Sequence, residues 1–204
     1  MSACPKSLLQ LANAPLHPSP LAHSVLVIVD AQLEYVAGAL PLAGIDAAIG
    51  EARAMLDVAR REGVPVIHVV HHSPPGRGAF DRAGPLVAIV PELTPDDGES
   101  VIAKTLPNAF GGTDLENRIR ETGRRELILA GFMTHVCIST TVRAALDLGF
   151  RITVVAGATA TRDLPDPLGG PTIPAAEVQR VALAELADRF AIVVPDAAAL
   201  QTNC

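Results

Sequence analysis

The chain has no Trp, one Tyr, three Cys and, among 16 basic residues, only Lys6 and Lys104 as lysines, in 204 residues. With so few stacking aromatics, a net charge of -6 and no basic run, it offers nothing that a nucleic acid would bind. No stretch reaches the ~18 consecutive apolar residues of a membrane span. The first twenty residues lack the basic start and apolar run of a signal peptide, so the expected address is the cytoplasm. Three cysteines at 4, 137 and 204 do not make the disulfide framework of a secreted domain, and only Cys137 is interior. No segment carries G-x-G-x-x-G, which argues against a dinucleotide, and no cofactor is expected. Because the chain otherwise uses Arg, an interior Lys104 calls for a chemical reason.

What is present reads as one α/β domain. The composition is 49% hydrophobic and 19% charged. Residues 1–23, with Pro5, Pro15, Pro18 and Pro20, read as an N-terminal strap, and 24–204 as a single domain. Apolar, β-branched runs recur at Val25–Val29, Val66–Val70, Val101–Ala103, Leu127–Ala130, Ile152–Ala156 and Ile192–Val194. They lack polar alternation, which suits strands covered on both faces of a parallel sheet. Between them, Ile45, Ile49, Ala52, Leu56 and Ala59 keep a helical period up to Gly63. Thr113 and Glu116 have the spacing of a capping box before a second helix. Ile138, Val142, Ala145 and Leu146 line a third, and Pro174 opens a fourth. Strands alternating with helices imply right-handed crossovers and a doubly wound sheet. The segment His71–Ser100 has no period and many Pro and Gly; its apolar stretch Leu86–Val90 reads as a packed lid or an interface arm.

Ligands in such sheets sit at the carboxyl ends of the strands. Asp30 ends the first run, Lys104 ends the third, and Cys137 follows the fourth through a short turn that opens a helix. A thiol at a helix N-terminus faces unpaired N–H groups, and with an ammonium nearby it is expected as a thiolate. Asp30 can accept and return a proton, and Lys104 can steady negative charge. An acid, an ammonium and a thiol on one edge are the parts of an acyl-transfer site. Taken singly, each also has a bland reading: buried filler for the Cys, a helix cap for the Asp, a solvated surface charge for the Lys.

Three segments, Val27-Ile-Val-Asp-Ala-Gln32, Ala103-Lys-Thr-Leu-Pro-Asn-Ala-Phe110 and Gly131-Phe-Met-Thr-His-Val-Cys-Ile138, resemble the signature blocks of the isochorismatase-like cysteine hydrolases. The resemblance runs from about Ser24 to Val194. It implies a six-stranded parallel sheet in the order 3-2-1-4-5-6 and a catalytic triad of Asp30, Lys104 and Cys137. It also implies a cis peptide at Phe132–Met133 and an oxyanion hole from the N–H groups of Met133 and Cys137. Around the substrate we place Gln32, Tyr35, His72, Asn108, Phe110, Phe132 and Thr134.

The departures from the family bear on the substrate. Nicotinamidases carry Asp-x-His after the second strand to bind a metal; here the stretch is Val70-His71-His72-Ser73-Pro74, with no Asp, so no metal is expected. Asn108 stands where Ser is common, and Gly157 where Asp is common. The leading reading is a metal-independent amidohydrolase acting on a small amide or ureido substrate through a thioester. The alternatives are an isochorismatase-type vinyl-ether hydrolase and a catalytically idle binding protein of the same fold. A homo-oligomer, dimer or tetramer, is expected from the apolar arm and from the resemblance.

Overall fold

The computed structural model describes residues 4–200; Met1–Ala3 and 201–204, with Cys204 and the ends of both expected segments, lie outside the described residues. Six strands form one parallel sheet in the order β3-β2-β1-β4-β5-β6. They are β1 (Ser24–Val29), β2 (Val66–His71), β3 (Ser100–Lys104), β4 (Glu126–Phe132), β5 (Arg151–Ala160) and β6 (Ile192–Val194). Every residue of β1 is buried, as a central strand flanked on both edges and covered on both faces requires.

The period-2 alternation of the strands divides the core in two. Leu26, Ile28, Ile128 and Ala130 face one layer with α3 (Ile45–Arg61), which contributes Ala48, Ile49, Ala52, Leu56 and Ala59. Val25, Val27, Val29, Leu127 and Leu129 face the other. There they meet Leu115 and Ile119 of α4 (Leu115–Glu121), Val142 and Ala145 of α5 (Ser139–Asp147) and Leu186 of α6 (Ala175–Arg189). The expected capping box does not form. Asp114 is the cap residue of α4, the Thr113 hydroxyl donates to Ala109 O, and Glu116 pairs with Arg120 at 2.7 Å. A neighbouring guanidinium competes better for Glu116 than a single backbone N–H does.

In the described part of the N-terminal stretch lies a short helix, α1 (Leu8–Leu11), closed by a capping box of Ser7 and Gln10. It is tied to α6 by the Leu8 N–H, which donates to Asp188 Oδ1 at 2.9 Å. The long segment after β2 is packed against its own chain. Val90 N–H donates to Ala31 O, Leu33 N–H donates to Ala88 O, and Phe80, Val90 and Leu93 are buried.

Gly131 decides how β4 passes β1. Its φ is +118°, and a Cβ built there would stand 1.9 Å from Val29 O, the carbonyl of its register partner. Only glycine lets the strands meet here and lets β4 continue into Phe132 and the turn beyond. Gly131→Ala should therefore cost about 3 kcal/mol or more in urea unfolding, whereas Gly149→Ala should cost only about 1–2 kcal/mol. Gly149 has φ +82° but nothing within 4 Å of its Cβ position, so it carries the backbone penalty alone.

Candidate active site

The carboxyl ends of β3, β1 and β4 converge on one buried cluster. Asp30 follows β1 directly and adopts φ +53°, a left-handed conformation that Asp tolerates better than most residues. Lys104 closes β3, and its Nζ lies 2.7 Å from Asp30 Oδ2, with both side chains 0% exposed. The same ammonium donates to Cys137 Sγ at 3.4 Å. Cys137 is 5% exposed and sits in a wide π-type turn, Thr134–Ile138, that runs into α5. Met133 caps the turn, and its carbonyl accepts from the Val136 and Ile138 N–H groups, which bracket Cys137. The Phe132–Met133 peptide is cis.

The electrostatics correct one expectation. Burial, with the negative charge of Asp30 added, pushes the Cys137 thiol up to about 12, although Lys104 opposes this. Burial and the facing carboxylate thus favour the thiol form of Cys137 over the thiolate. It lies past the free start of a helix, inside the turn, and an anion faces it. Burial also raises Asp30 to about 6, against the pull of the Lys104 ammonium and of the Cys137 thiol beside it. Near neutrality the carboxylate is the group ready to take the thiol proton.

The expected pocket residues fall into three sets. Tyr35 and Phe132 pack edge to face, 5.9 Å apart, directly behind the cluster, and burial pushes the Tyr35 hydroxyl well above its usual range. Gln32, Thr134 and Asn108 have polar groups engaged by the protein itself. The Gln32 amide donates to His71 O and Val87 O and accepts from His71 N–H, Thr134 Oγ1 donates to Ala160 O, and Asn108 Oδ1 accepts from Phe110 N–H. Two placements differ from expectation. Phe110 does not face the cluster; its ring stacks on Phe150, 6.0 Å away, at the opposite end of β5. And it is His71, not His72, whose ring reaches the cluster, with Nδ1 3.2 Å from Lys104 Nζ. The backbone of His72 instead donates to Lys104 O.

One carboxylate escaped sequence reasoning. Glu34 is buried and accepts from Ala39 N–H at 2.6 Å and Phe80 N–H at 3.2 Å, which pins the long segment beside Tyr35. A surface-type residue at the start of a short helix, α2 (Glu34–Ala37), gives no sign of that role. Among the described residues no group of three His, Cys, Asp or Glu side chains is arranged to hold a metal ion.

A parallel sheet with an acid, an ammonium and a thiol at its carboxyl edge defines a small-molecule hydrolase class, and comparison with known proteins places the chain within it. The isochorismatase domain matches residues 24–198, and the chain belongs to the isochorismatase family of hydrolases. It is similar to the crystal structure of an isochorismatase from Pseudomonas putida KT2440, with a TM-score of 0.91 and 44% identity over 96% of this chain and 99% of that one. It is 39% identical over 171 residues to the secreted isochorismatase effector Isc1 of Verticillium dahliae, covering 84% of this chain and 87% of that protein. It is 30% identical over 184 residues to the ureidoacrylate amidohydrolase RutB of Stutzerimonas stutzeri, covering 71% of this chain and 74% of that protein.

The ion pair at the cluster can be tested by removing its cation. Lys104→Met should destabilise the protein by about 3–5 kcal/mol near pH 8, because it strands a buried carboxylate. In the variant the folded pKa of Asp30 lies still further above its unfolded value of 3.8, so the native state binds the extra proton and gains stability as pH falls. The deficit should shrink as pH is lowered from about 8 toward about 5, as read from urea unfolding at both. A deficit independent of pH would mean that the Lys104 stem, not its charge, is what matters.

Proposed function

We propose that the protein hydrolyses a C–N bond of a small amide or ureido compound through a thioester on Cys137. The observation that supports this most is the buried Lys104 ammonium lying 2.7 Å from Asp30 Oδ2 and 3.4 Å from Cys137 Sγ. As the sulfur attacks the substrate carbonyl carbon, its proton passes to Asp30, and the anion that forms on sulfur is met by the Lys104 ammonium. The carbonyl oxygen takes the electron pair and is stabilised by the N–H groups of Met133 and Cys137. Asp30 then protonates the leaving nitrogen, the C–N bond breaks and ammonia or an amine departs. Water attacks the thioester, Asp30 takes a proton from it, the C–S bond breaks, and that proton returns to sulfur. The kinship with an amidohydrolase that acts on ureidoacrylate supports this substrate class. No step needs a Lewis acid, and the Nδ1 of His71 turned toward an ammonium is a poor neighbour for a metal ion.

A second reading rests on two of the relatives, which are named isochorismatases. In it Asp30 delivers a proton to a vinyl ether, and Cys137 is dispensable. One variant separates the two. Cys137→Ala should lower ammonia release from small amides and ureido acids by at least about 1000-fold while leaving the circular dichroism spectrum unchanged. If it leaves hydrolysis of isochorismate intact and the wild type releases no ammonia, the vinyl-ether reading replaces ours. In the wild type, kcat/KM should rise with pH through about 6 as Asp30 ionises, and Asp30→Asn should lower it by at least about 100-fold across that range.

We also propose a homo-oligomer, dimer or tetramer. Val101 and Leu106 are each 52% exposed at either end of the edge strand β3, beside the long segment, where a second copy could cover them. Light scattering at micromolar concentration should return a multiple of the 21.2 kDa chain mass; the chain mass alone would reject this.

A further inference from the structure

We propose that His71 is a positioning residue for Lys104: its Nδ1 anchors one hydrogen of the ammonium and so keeps the cation turned toward Cys137. The proposal rests on the thioester reading for its consequence in turnover, but its structural core stands apart from that reading.

An ammonium carries three hydrogens and no lone pair. Three acceptors lie within reach of Lys104 Nζ: Asp30 Oδ2 at 2.7 Å, His71 Nδ1 at 3.2 Å and Cys137 Sγ at 3.4 Å. The side chain is 0% exposed, so no solvent shell can substitute for any of them. Hydrogen bonds run to His71 Nδ1 and Cys137 Sγ, Asp30 Oδ2 is held by charge, and the ammonium stays beside the carboxylate and the sulfur because one of its hydrogens is anchored on His71. Without that anchor the group can turn away from sulfur, the weakest of the three acceptors.

The same contact fixes the imidazole. Nδ1 facing an ammonium must supply a lone pair, so the ring is neutral and its proton sits on Nε2. Burial and the positive charge of Lys104 both hold His71 low, at about 4, with a smaller push from His72. Reorientation of the ring is opposed from two sides. Gln32 clamps the His71 backbone, accepting from its N–H at 2.8 Å and donating to its carbonyl at 3.0 Å, and Phe80 meets the ring edge to face at 5.2 Å. Among the described residues Nε2 has no hydrogen-bond partner, and His71 is half-buried at the open end of β2.

The contact is tested first on the wild type by long-range 1H–15N NMR of histidine-labelled protein. His71 should show the pattern of a neutral Nε2–H tautomer throughout the range from about pH 5 to 8, while in Lys104→Met it should relax to a tautomer mixture. A Nδ1–H tautomer, a mixture or an imidazolium in the wild type would overturn the proposal. The positioning role is read from alkylation of Cys137 by iodoacetamide near neutral pH, followed by peptide mass spectrometry with Cys4 as an internal reference. His71→Asn, which keeps an acceptor near the place of Nδ1, should label within about threefold of the wild type, and His71→Leu about tenfold or more slowly. Equal rates for His71→Leu and wild type would overturn the role. The thioester reading fails differently: wild-type Cys137 would then label no faster in Asp30-intact protein than in Asp30→Asn, whatever the tautomer of His71.

Discussion

The buried ion pair between Lys104 and Asp30 is the constraint around which the site is built. In the strand order β3-β2-β1 the two residues close strands that are not neighbours, and two strand spacings put their backbones about 10 Å apart. The partner must therefore arrive on a long, straight stem that crosses the end of β2, which suits lysine and not a shorter base. Taking both charges fully out of water costs several kcal/mol for each ion, and their attraction offsets this only when the remaining hydrogens and lone pairs are also engaged. The thiol and His71 engage the ammonium, while the carboxylate oxygens of Asp30 have no hydrogen-bond partner among the described residues, which is why burial raises Asp30 in spite of its cation. The crossing explains why β2 ends in a residue whose ring can accept: an apolar side chain under the ammonium would leave one hydrogen stranded in a closed space. A buried charge with an ordered purpose is also the reason that one of two lysines in an arginine-using chain sits at the heart of the sheet.

Much of this was legible in the sequence. The six strands follow from their apolar runs: a strand covered on both faces, such as β1, has no polar alternation to hide its extent, and the edge strand β3 keeps its run although Val101 is exposed; observed bounds differ from expected ones by a few residues at most. Asking which polar residue closes each run gave Asp30 and Lys104. Applied to the second strand, the same question points to His71, with a second histidine, His72, directly beside it. Register separates them: His71 is paired with Lys104 across β2 and β3, and register is not visible in a single sequence. The alternation along β2 sends His68, three residues earlier, to the other face, where it donates to a Glu99 carboxylate already held by both arms of Arg60. Phe110 misled for a related reason. It is close to Lys104 along the chain, but the Asn108 turn carries its ring down the helix layer to Phe150.

The long segment after β2 shows how a loop without secondary structure can be held still. It carries few regular hydrogen bonds, so each ordered residue loses conformational entropy of about 1–2 kcal/mol with no ladder to offset it. Two buried polar side chains from the β1 end do the tying. Gln32 donates to Val87 O while gripping His71, and Glu34 accepts from Phe80 N–H while its own turn is kept open by Gly38, where a Cβ would stand 2.4 Å from Glu34 Oε1. Phe80 then closes on both Tyr35 and His71. The wall of the site and the anchoring of the segment are thus one network, and a change in the loop is transmitted to the ring that steadies the ammonium.

The protonated state of Cys137 gives the arrangement its chemical logic. An accessible thiolate reacts with oxidants and stray electrophiles; a thiol pushed up to about 12 by burial and by a facing carboxylate is protected from them. Reactivity appears only when the proton has somewhere to go and the charge left on sulfur has something to face. Asp30, at about 6, is ionised near neutrality yet close enough to titrating that it can hold a proton through one step and release it in the next. Lys104 changes neither group's charge but touches both, so that as the proton moves from sulfur to carboxylate the cation's attraction shifts from oxygen to sulfur with almost no motion of atoms. A cluster with fixed positions and one mobile proton needs little reorganisation during the reaction, which is the condition under which buried charges accelerate chemistry instead of merely straining the fold.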